Sequence, residues 1–293
     1  MSALKRRAEL VVAPLLGVAG LQVVKAGRAV IDLRDVTDRP LAAAYRAGLR
    51  PFLIEVTTAH CRVLPGSAFA CTPTAGNPFV DTLLAYEANR QLTYDASPLA
   101  DFYRRWQPQS LIAVLGLDGE NVSPPLANAP PLGLVWPWQS LTPTEAEQRW
   151  AHFIELDNRE HGTRRGKSAG WKGWGPLDPI IGEQEFRRLT RVFEAIERDG
   201  YRRSDTADGD IKGVVLQEMD QFRVVVTAGH HRASALAALG RERAPVRIDN
   251  PLVRREDVKD WPNVRSGLFT PAQALKIFDR IFEGAQPPGF AQR

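Results

Sequence analysis

Between residues 182 and 248, the spacing of apolar residues predicts a helix, a β-hairpin, a second helix and a strand. Residues 182–201 place apolar side chains three or four positions apart, which is the repeat of an amphipathic helix, and Gly200 ends it. The apolar face of this helix consists of Phe186, Leu189, Phe193 and Ile196. Residues 213–216 and 222–226 are short apolar runs joined by the polar sequence QEMDQ, which indicates two strands of a hairpin.

An alanine-rich segment follows the hairpin and predicts a helix that ends at Gly240, before a strand over residues 244–248. Upstream, residues 145–153 are helical in pattern and lead into a short strand predicted over Phe153–Leu156. Because helices and strands are interspersed around short strand runs, the predicted fold class is α+β. We place the boundaries of this domain at residues 146–250.

The first half of the chain predicts an additional N-terminal α/β region over residues 28–120. Pro51–Val56 has the pattern of a buried strand, and Asn77–Arg90 and Ser97–Trp106 are helices with proline in the first turn. Residues 121–145 contain too many prolines for regular structure, so we interpret them as a connector.

The two ends of the chain each predict a helix. Within residues 1–27, three basic residues precede the apolar run Leu10–Val24, which is too short to span a bilayer. This N-terminal helix is expected either to pack on the protein or to make peripheral contact with a membrane surface. Residues 251–293 form a helical tail, in which Thr270 caps a helix that stops at Gly284.

Composition excludes several classes of protein. The 293 residues are 44% hydrophobic and 25% charged, which is typical of a folded globular chain. The net charge is +4 and the isoelectric point is about 9.2, which permits an anionic partner without requiring one. Two cysteines, Cys61 and Cys71, form neither a disulfide framework nor a zinc motif. We therefore expect reduced thiols in a cytoplasmic protein.

The segment His161–Pro176 contains five glycines, four basic residues and two tryptophans without any periodicity. One interpretation is a mobile surface loop. The other is a basic lid that closes over an anionic ligand, because glycine allows movement and the basic side chains supply charge. Its basic residues are Arg164, Arg165, Lys167 and Lys172.

The sequence TAGHHRASALAALG, residues 227–240, carries the most informative polar cluster. The first turn of a helix leaves backbone N–H groups unpaired and carries partial positive charge, so it binds anions. Gly229 would let a ligand approach the backbone, and Arg232 offers a fork that fits phosphate oxygens. His230 and His231 could donate to phosphate or transfer protons near pH 7. The alternative is that both histidines are satisfied polar residues at an ordinary turn.

The run VVVTAGHHRASALAALGRERAPVRI, with the helix ending in IERDGY and the strand GVVL before it, resembles the ParB/sulfiredoxin superfamily over roughly residues 150–250. The resemblance implies a nucleotide as cofactor, with its phosphates at Gly229, His230, His231 and Arg232. The first half of the chain and the tail sequence VRREDVKDWPNV resemble parts of bacterial proteins with this same domain that are linked to cell-envelope polysaccharide pathways, so a small molecule or an envelope glycan is the expected acceptor.

Departures from that family narrow the chemistry. Sulfiredoxins carry a catalytic cysteine where this chain has His230, so sulfinic acid reduction is excluded. Partition proteins carry a helix-turn-helix domain, whereas the roughly 40 residues of the tail predict one good helix, so a DNA-binding partition-type protein is the least favoured of the functions considered. Members resembling free serine kinases carry an aspartate where this chain has Ala228, which puts phosphoryl transfer assisted by Mg²⁺ in question.

Two functions are therefore expected from different classes. The first is an ATP-dependent phosphotransferase, in which His230 and His231 are catalytic and Glu155 activates an unidentified acceptor. Asp157 and Glu160 are alternatives to Glu155, and all three carboxylates could instead be surface residues. The second is a non-catalytic binding or scaffold protein that is gated by ATP or another nucleotide.

Overall fold

A computed structural model describes residues 30–203, 209–249 and 252–290 of the chain. The predicted N-terminal helix over residues 1–27, and with it the predicted membrane contact, lies outside these residues. Within the described ranges, no helix combines the length and the apolar character needed to cross a bilayer.

The described strands form one mixed sheet. Its strands are β1 (Ile31–Asp32), β2 (Phe52–Thr57), β3 (Cys61–Val63), β4 (Phe69–Ala70), β5 (Ile211–Glu218), β6 (Gln221–Ala228), β7 (Arg243–Ile248) and β8 (Val253–Arg254). The strand order is β1-β2-β7-β5-β6-β3-β4, and β8 pairs with β5. Strands β5 and β6 form an antiparallel hairpin, while β7 returns parallel to β5. The sheet with its helices confirms a mixed α and β fold, consistent with α+β.

Helices surround this sheet, and several begin at the predicted caps. They are α1 (Pro40–Arg46), α2 (Pro78–Ala88), α3 (Pro98–Arg105), α4 (Leu111–Leu115), α5 (Pro124–Ala127), α6 (Pro143–Glu160), α7 (Pro179–Asp199), α8 (His230–Ala238), α9 (Pro262–Arg265) and α10 (Pro271–Glu283). The side chains of Asn77, Ser97 and Thr270 accept hydrogen bonds from first-turn N–H groups, as capping residues do.

The predicted order from helix to hairpin to helix to strand is confirmed. Helix α7 buries the predicted apolar face, and α8 connects β6 to β7. Alanine-rich α8 buries every residue from Ala233 to Ala238, because small side chains let it lie close against strands β3, β5 and β7. Helices α2 and α7 pack against α8 and enclose it.

The strand predicted over Phe153–Leu156 is wrong, because these residues belong to α6, which continues to Glu160. Ile154 and Asn158 are both buried, four residues apart on one side of this helix. Phe153 and Leu156 are exposed, so their apolar character does not reflect burial in a strand.

The predicted domain boundaries do not separate distinct cores. Strand β2, from the predicted N-terminal region, pairs with β7 along its whole length, and β3 pairs with β6. Residues Ile31–Arg293 accordingly form one compact unit. The proline-rich connector is part of this core through buried Leu126, Leu134 and Val135.

The predicted tail is also part of the core. Buried Arg62 on β3 donates to the carbonyls of Ile281 and Phe282 at the end of α10, at 3.0 and 2.7 Å. Both carbonyls lie in the last helical turn, and that of Ile281 also accepts from the N–H of Gly284 at 3.1 Å. The same guanidinium therefore connects the sheet to the C-terminal helix.

Candidate functional site

Gly229 lies between the end of β6 and the start of α8 in a conformation that favours glycine. Its φ is +82°, in the left-handed region. A Cβ at this position would lie 3.0 Å from the Cα of Ile211 and 3.3 Å from the carbonyl oxygen of Asp210. Strand β5 therefore passes too close for a side chain, and the turn into α8 requires glycine.

The first turn of α8 has no side-chain cap. The first hydrogen bond closing the helix runs from the N–H of Ala233 to the carbonyl of Gly229, at 3.0 Å. The N–H groups of His230, His231 and Arg232 come before that bond, so the helix supplies them with no acceptor. Together with the positive end of the helix dipole, these groups are suited to an anion.

Arg232 completes this turn with a partly buried guanidinium. It makes no hydrogen bond or ion pair with any residue in the described ranges. Tyr201 lies close to it: burial raises the pKa of the Tyr201 hydroxyl, and the positive charge of Arg232 opposes that rise. A planar guanidinium without a carboxylate partner is suited to two oxygens of a phosphate.

Two guanidinium groups face the carboxylate of Asp210, the residue whose backbone carbonyl lies beside Gly229. The side chain of Asp210 is almost fully buried. Arg203 donates to it at 2.7 Å, and a nitrogen of Arg247 lies 3.9 Å away. The carboxylate of Asp210 is therefore already neutralised by guanidinium groups.

The residues present do not fit a bound Mg²⁺ ion. Across residues 30–203, 209–249 and 252–290, no three His, Cys, Asp or Glu side chains cluster in a way that could hold a metal. Ala228 offers no ligand, and Asp210 is paired with arginine. We assign no metal ligand and derive no step through a metal.

The side chain of His230 points into the protein rather than toward a ligand at the turn. Its Nδ1 accepts a long hydrogen bond, 3.4 Å, from the N–H of Leu64. Burial, with a smaller contribution from the charge of His231, lowers the pKa of His230 to about 4. The ring is therefore neutral at pH 7, with its proton on Nε2. The structural interpretation of this histidine fits better than a phosphate-binding or catalytic side chain.

His231 is held by a carboxylate that the sequence analysis did not select. Its Nε2 lies 2.7 Å from Oε1 of Glu185 on α7, and its ring contacts Phe79 on α2 at a centroid distance of 5.1 Å. The His231 side chain is 13% exposed and that of Glu185 is 5% exposed. Among the described residues, Nδ1 of His231 has no hydrogen-bond partner. The imidazole is thus oriented by one nitrogen and open at the other.

Glu185 belongs to a network of buried and half-buried charges. Lys172 and Arg188 lie 3.4 and 3.3 Å from its carboxylate, and both also pair with Asp157 on α6. Burial alone would raise the pKa of Glu185, but the charges of His231, Lys172 and Arg188 together hold it well below its usual value. The carboxylate is therefore ionised at neutral pH and fixes the position of His231.

One sequence signal pointed to Glu185. Ile181, Glu185 and Leu189 are four residues apart, and all three are buried on one face of α7. A charged residue in an apolar stripe must have a partner when it is buried.

Glu155, predicted as the carboxylate that activates the acceptor, does not join this network. It is exposed on α6 and lines a surface cleft with Arg159, Arg164, Arg165 and Gly166. Asp157, two residues further along, faces the network instead. Because successive helical residues point about 100° apart, the two carboxylates lie on different sides of α6.

The segment His161–Pro176 is neither a mobile loop nor a lid in its second half. Trp171 and Trp174 are buried and pack edge to face, 4.6 Å apart between ring centroids, and Trp171 also contacts Trp150 on α6. Lys172 lies between these tryptophans and points inward to Asp157. Its charge therefore stabilises the fold and does not face a ligand from a lid.

Comparisons of this chain with protein-family models, with curated proteins and with solved structures found no match.

Proposed function

We propose that the turn Gly229–Arg232 binds the phosphate groups of a nucleotide. The observation that carries the proposal is the convergence, at one helix start, of N–H groups without helical acceptors and the guanidinium of Arg232, which has no partner in the described ranges. Gly229 keeps side-chain atoms away from the backbone at this point. Such a turn suits a charged phosphate group.

Each residue of the turn has a distinct part in this proposal. Gly229 adopts the left-handed conformation that starts α8 close against β5, and Arg232 donates two parallel hydrogen bonds to phosphate oxygens. His230 contributes its backbone N–H, since its ring is engaged with Leu64. His231 contributes a backbone N–H and an imidazole nitrogen that faces no protein acceptor in the described ranges.

The resemblance of residues 150–250 to the ParB/sulfiredoxin superfamily supports a nucleotide over other phosphate-bearing ligands. The chain places helix α7, the β5–β6 hairpin, the glycine turn, α8 and β7 in the order that the resemblance implies. The support comes from the order of the elements and from the glycine turn. The titration described next distinguishes ATP from other nucleotides.

Calorimetric titration with ATP, ADP and CTP, with and without Mg²⁺, tests the proposal. Removing Arg232 deletes two charge-assisted hydrogen bonds, so Arg232→Ala should weaken binding at least about tenfold. Arg191→Ala is the matched control, because Arg191 is an exposed arginine on α7 with no ion pair in the described ranges. Failure of the wild-type protein to bind any of the three nucleotides would exclude the proposal.

A second function, phosphoryl transfer, is favoured by one observation, the His231–Glu185 pair. Glu185 holds Nε2 of His231 and leaves Nδ1 free to accept a proton. In the step this permits, an acceptor hydroxyl gives its proton to Nδ1 while its oxygen bonds to the terminal phosphorus of ATP. The bond from that phosphorus to the bridging oxygen breaks, and ADP leaves.

ATP turnover separates this enzyme from a non-catalytic binding protein. With water as the acceptor, His231→Gln should lower the hydrolysis rate by about a hundredfold while leaving ATP affinity within a factor of three. Glu185→Gln should change the pH profile of that rate. Ala228, where resembling kinases carry aspartate, favours the non-catalytic alternative, which holds if the wild-type protein binds ATP without any turnover.

A further inference from the structure

A surface cleft of about 530 Å³ lies at the end of α6, apart from the residues of the phosphate-binding turn. Its lining consists of Glu155, Arg159, Arg164, Arg165 and Gly166. Three arginines and one glutamate therefore line one concavity. The volume falls in the range of sites for small molecules.

The distribution of ion pairs leaves positive charge concentrated at this cleft. Arg165 pairs with Asp178 at 2.8 Å, and Lys167 pairs with Glu147 at 2.9 Å. The side chains of Arg159 and Arg164, by contrast, make no ion pair or hydrogen bond with the residues that the structure describes.

Glu155 is also unpaired within the described part of the chain. It lies close to Gly166: one carboxylate oxygen is 3.7 Å from the position a Cβ would take there. The carboxylate remains available to a ligand because the neighbouring arginines do not neutralise it through an ion pair.

The backbone that carries Arg164 and Arg165 is fixed by buried Asn158. The side chain of Asn158 donates to the carbonyl of Arg165 at 2.8 Å. The backbone carbonyl of Asn158 accepts from the N–H of Thr163 at 2.8 Å and from the Thr163 hydroxyl at 3.1 Å. The arginines therefore extend from an ordered backbone, which lowers the entropy cost of binding.

We propose that this cleft binds a small phosphorylated polyol, with its phosphate on Arg159 and Arg164 and its hydroxyl groups on Glu155. Guanidinium forks match phosphate oxygens in geometry and charge. A carboxylate in the same cleft repels a ligand that is anionic throughout, but it accepts hydrogen bonds from hydroxyl groups. The ligand that satisfies both is anionic at one end and hydroxylated at the other.

Titration with glucose 6-phosphate and with inorganic phosphate tests this site. The double variant Arg159→Ala/Arg164→Ala should bind glucose 6-phosphate at least about tenfold more weakly than the wild type. Glu155→Gln should weaken glucose 6-phosphate and leave inorganic phosphate unchanged or bound more tightly. Arg191→Ala, which removes an exposed arginine elsewhere, should change neither.

Four results would overturn the proposal. Absence of glucose 6-phosphate binding at millimolar concentration excludes the site, and equal weakening by Arg191→Ala shows diffuse attraction by surface charge. Tighter binding of both probes by Glu155→Gln would show that the carboxylate only repels the phosphate group. That result would exclude a role of Glu155 in binding the hydroxyl groups of a polyol. Loss of binding in Arg232→Ala alone would assign the probe to the turn before α8, so the two sites fail separately.

Discussion

Two carboxylates on α6, Asp157 and Glu155, are separated by one residue and meet opposite surroundings. Asp157 is 17% exposed and lies between Lys172 and Arg188, in ion pairs that extend to Glu185. Glu155 is exposed in a cleft and has no ion pair among the described residues. One side of the helix has charges that are satisfied by the protein, and the other has charges that are left for solvent or a ligand.

Because of this difference, charges on one side of α6 stabilise the fold, whereas charges on the other side are available to bind a ligand. The interior network joins α6, the loop after it, α7 and α8 through opposite charges, so removing a member leaves a partner buried and unpaired. The cleft side chains of Arg159 and Arg164 have no such partners among the described residues, so removing either one leaves no opposite charge unpaired. Substitutions on the two sides should therefore affect different measurements.

The largest expected effect follows from Glu185→Ala. This change leaves Lys172, Arg188 and His231 without their shared carboxylate and should cost about 3 kcal/mol of unfolding free energy. Urea unfolding followed by circular dichroism measures the loss. Glu183→Ala removes a more exposed carboxylate on the same helix and should cost less than about 0.5 kcal/mol. Equal effects of the two variants would mean that the network does not stabilise the fold.

The second largest effect is expected from acid, which should lower the free energy of unfolding through His230 and Glu185. The pKa of His230 is about 4 in the folded protein and about 6.5 when unfolded, so the unfolded chain binds the extra proton between these values. Stability from this group is complete above pH 6.5 and is lost as the pH falls toward 4. Glu185, whose folded pKa is lowered, loses its contribution as the pH falls below its unfolded value near 4.5.

Calorimetric melting between pH 7.5 and 4 measures this dependence. His230→Asn keeps an acceptor for the N–H of Leu64 but removes the titrating ring, so Tm should fall less between pH 6.5 and 5 in this variant. The opposite sign, a rise in Tm on acidification through this range, would show that His230 is protonated in the folded state.

Much of the local structure could be predicted, because it depends on residues close together in the sequence. The apolar face of α7, the caps Ser97 and Thr270, and the stop at Gly284 all follow from helical spacing and first-turn chemistry. The hairpin and the helix after Gly229 are local for the same reason.

The remainder depends on contacts that local pattern does not encode. Pairing of β2 with β7 joins residues almost 200 positions apart, and it places the first half of the chain in the same sheet as the second. The partner of His231 was missed because Glu185 lies on another helix. The strand predicted over Phe153–Leu156 was wrong because Phe153 and Leu156 are apolar but exposed on a helix, so their apolar character did not indicate burial.

Asn158 is a buried residue of α6 that holds the loop carrying Arg165, and its removal should have an intermediate effect on the free energy of unfolding. Asn158→Ala deletes the hydrogen bond to the carbonyl of Arg165 and should cost about 1 to 2 kcal/mol. Amide hydrogen exchange of residues 163–169 should become faster, because the loop loses its anchor. Asn128→Ala, at an exposed position, is the control and should change neither quantity.

The smallest effect on stability is expected for Arg159→Ala and Arg164→Ala in the cleft. Each should change the free energy of unfolding by less than about 0.5 kcal/mol, since neither side chain has a partner among the described residues.

Lys172→Ala is the comparison within the same loop, and it should cost several times more because it leaves Asp157 without its nearest cation. Chemical unfolding of the three variants in one buffer makes the measurement. If the cleft arginines proved as costly as Lys172, their charges would be satisfied within the fold and would not be available to a ligand. A small loss of unfolding free energy for Arg159→Ala and Arg164→Ala, together with a large loss for Lys172→Ala, would instead show that Lys172 stabilises the fold. The two arginines would then remain available to a ligand.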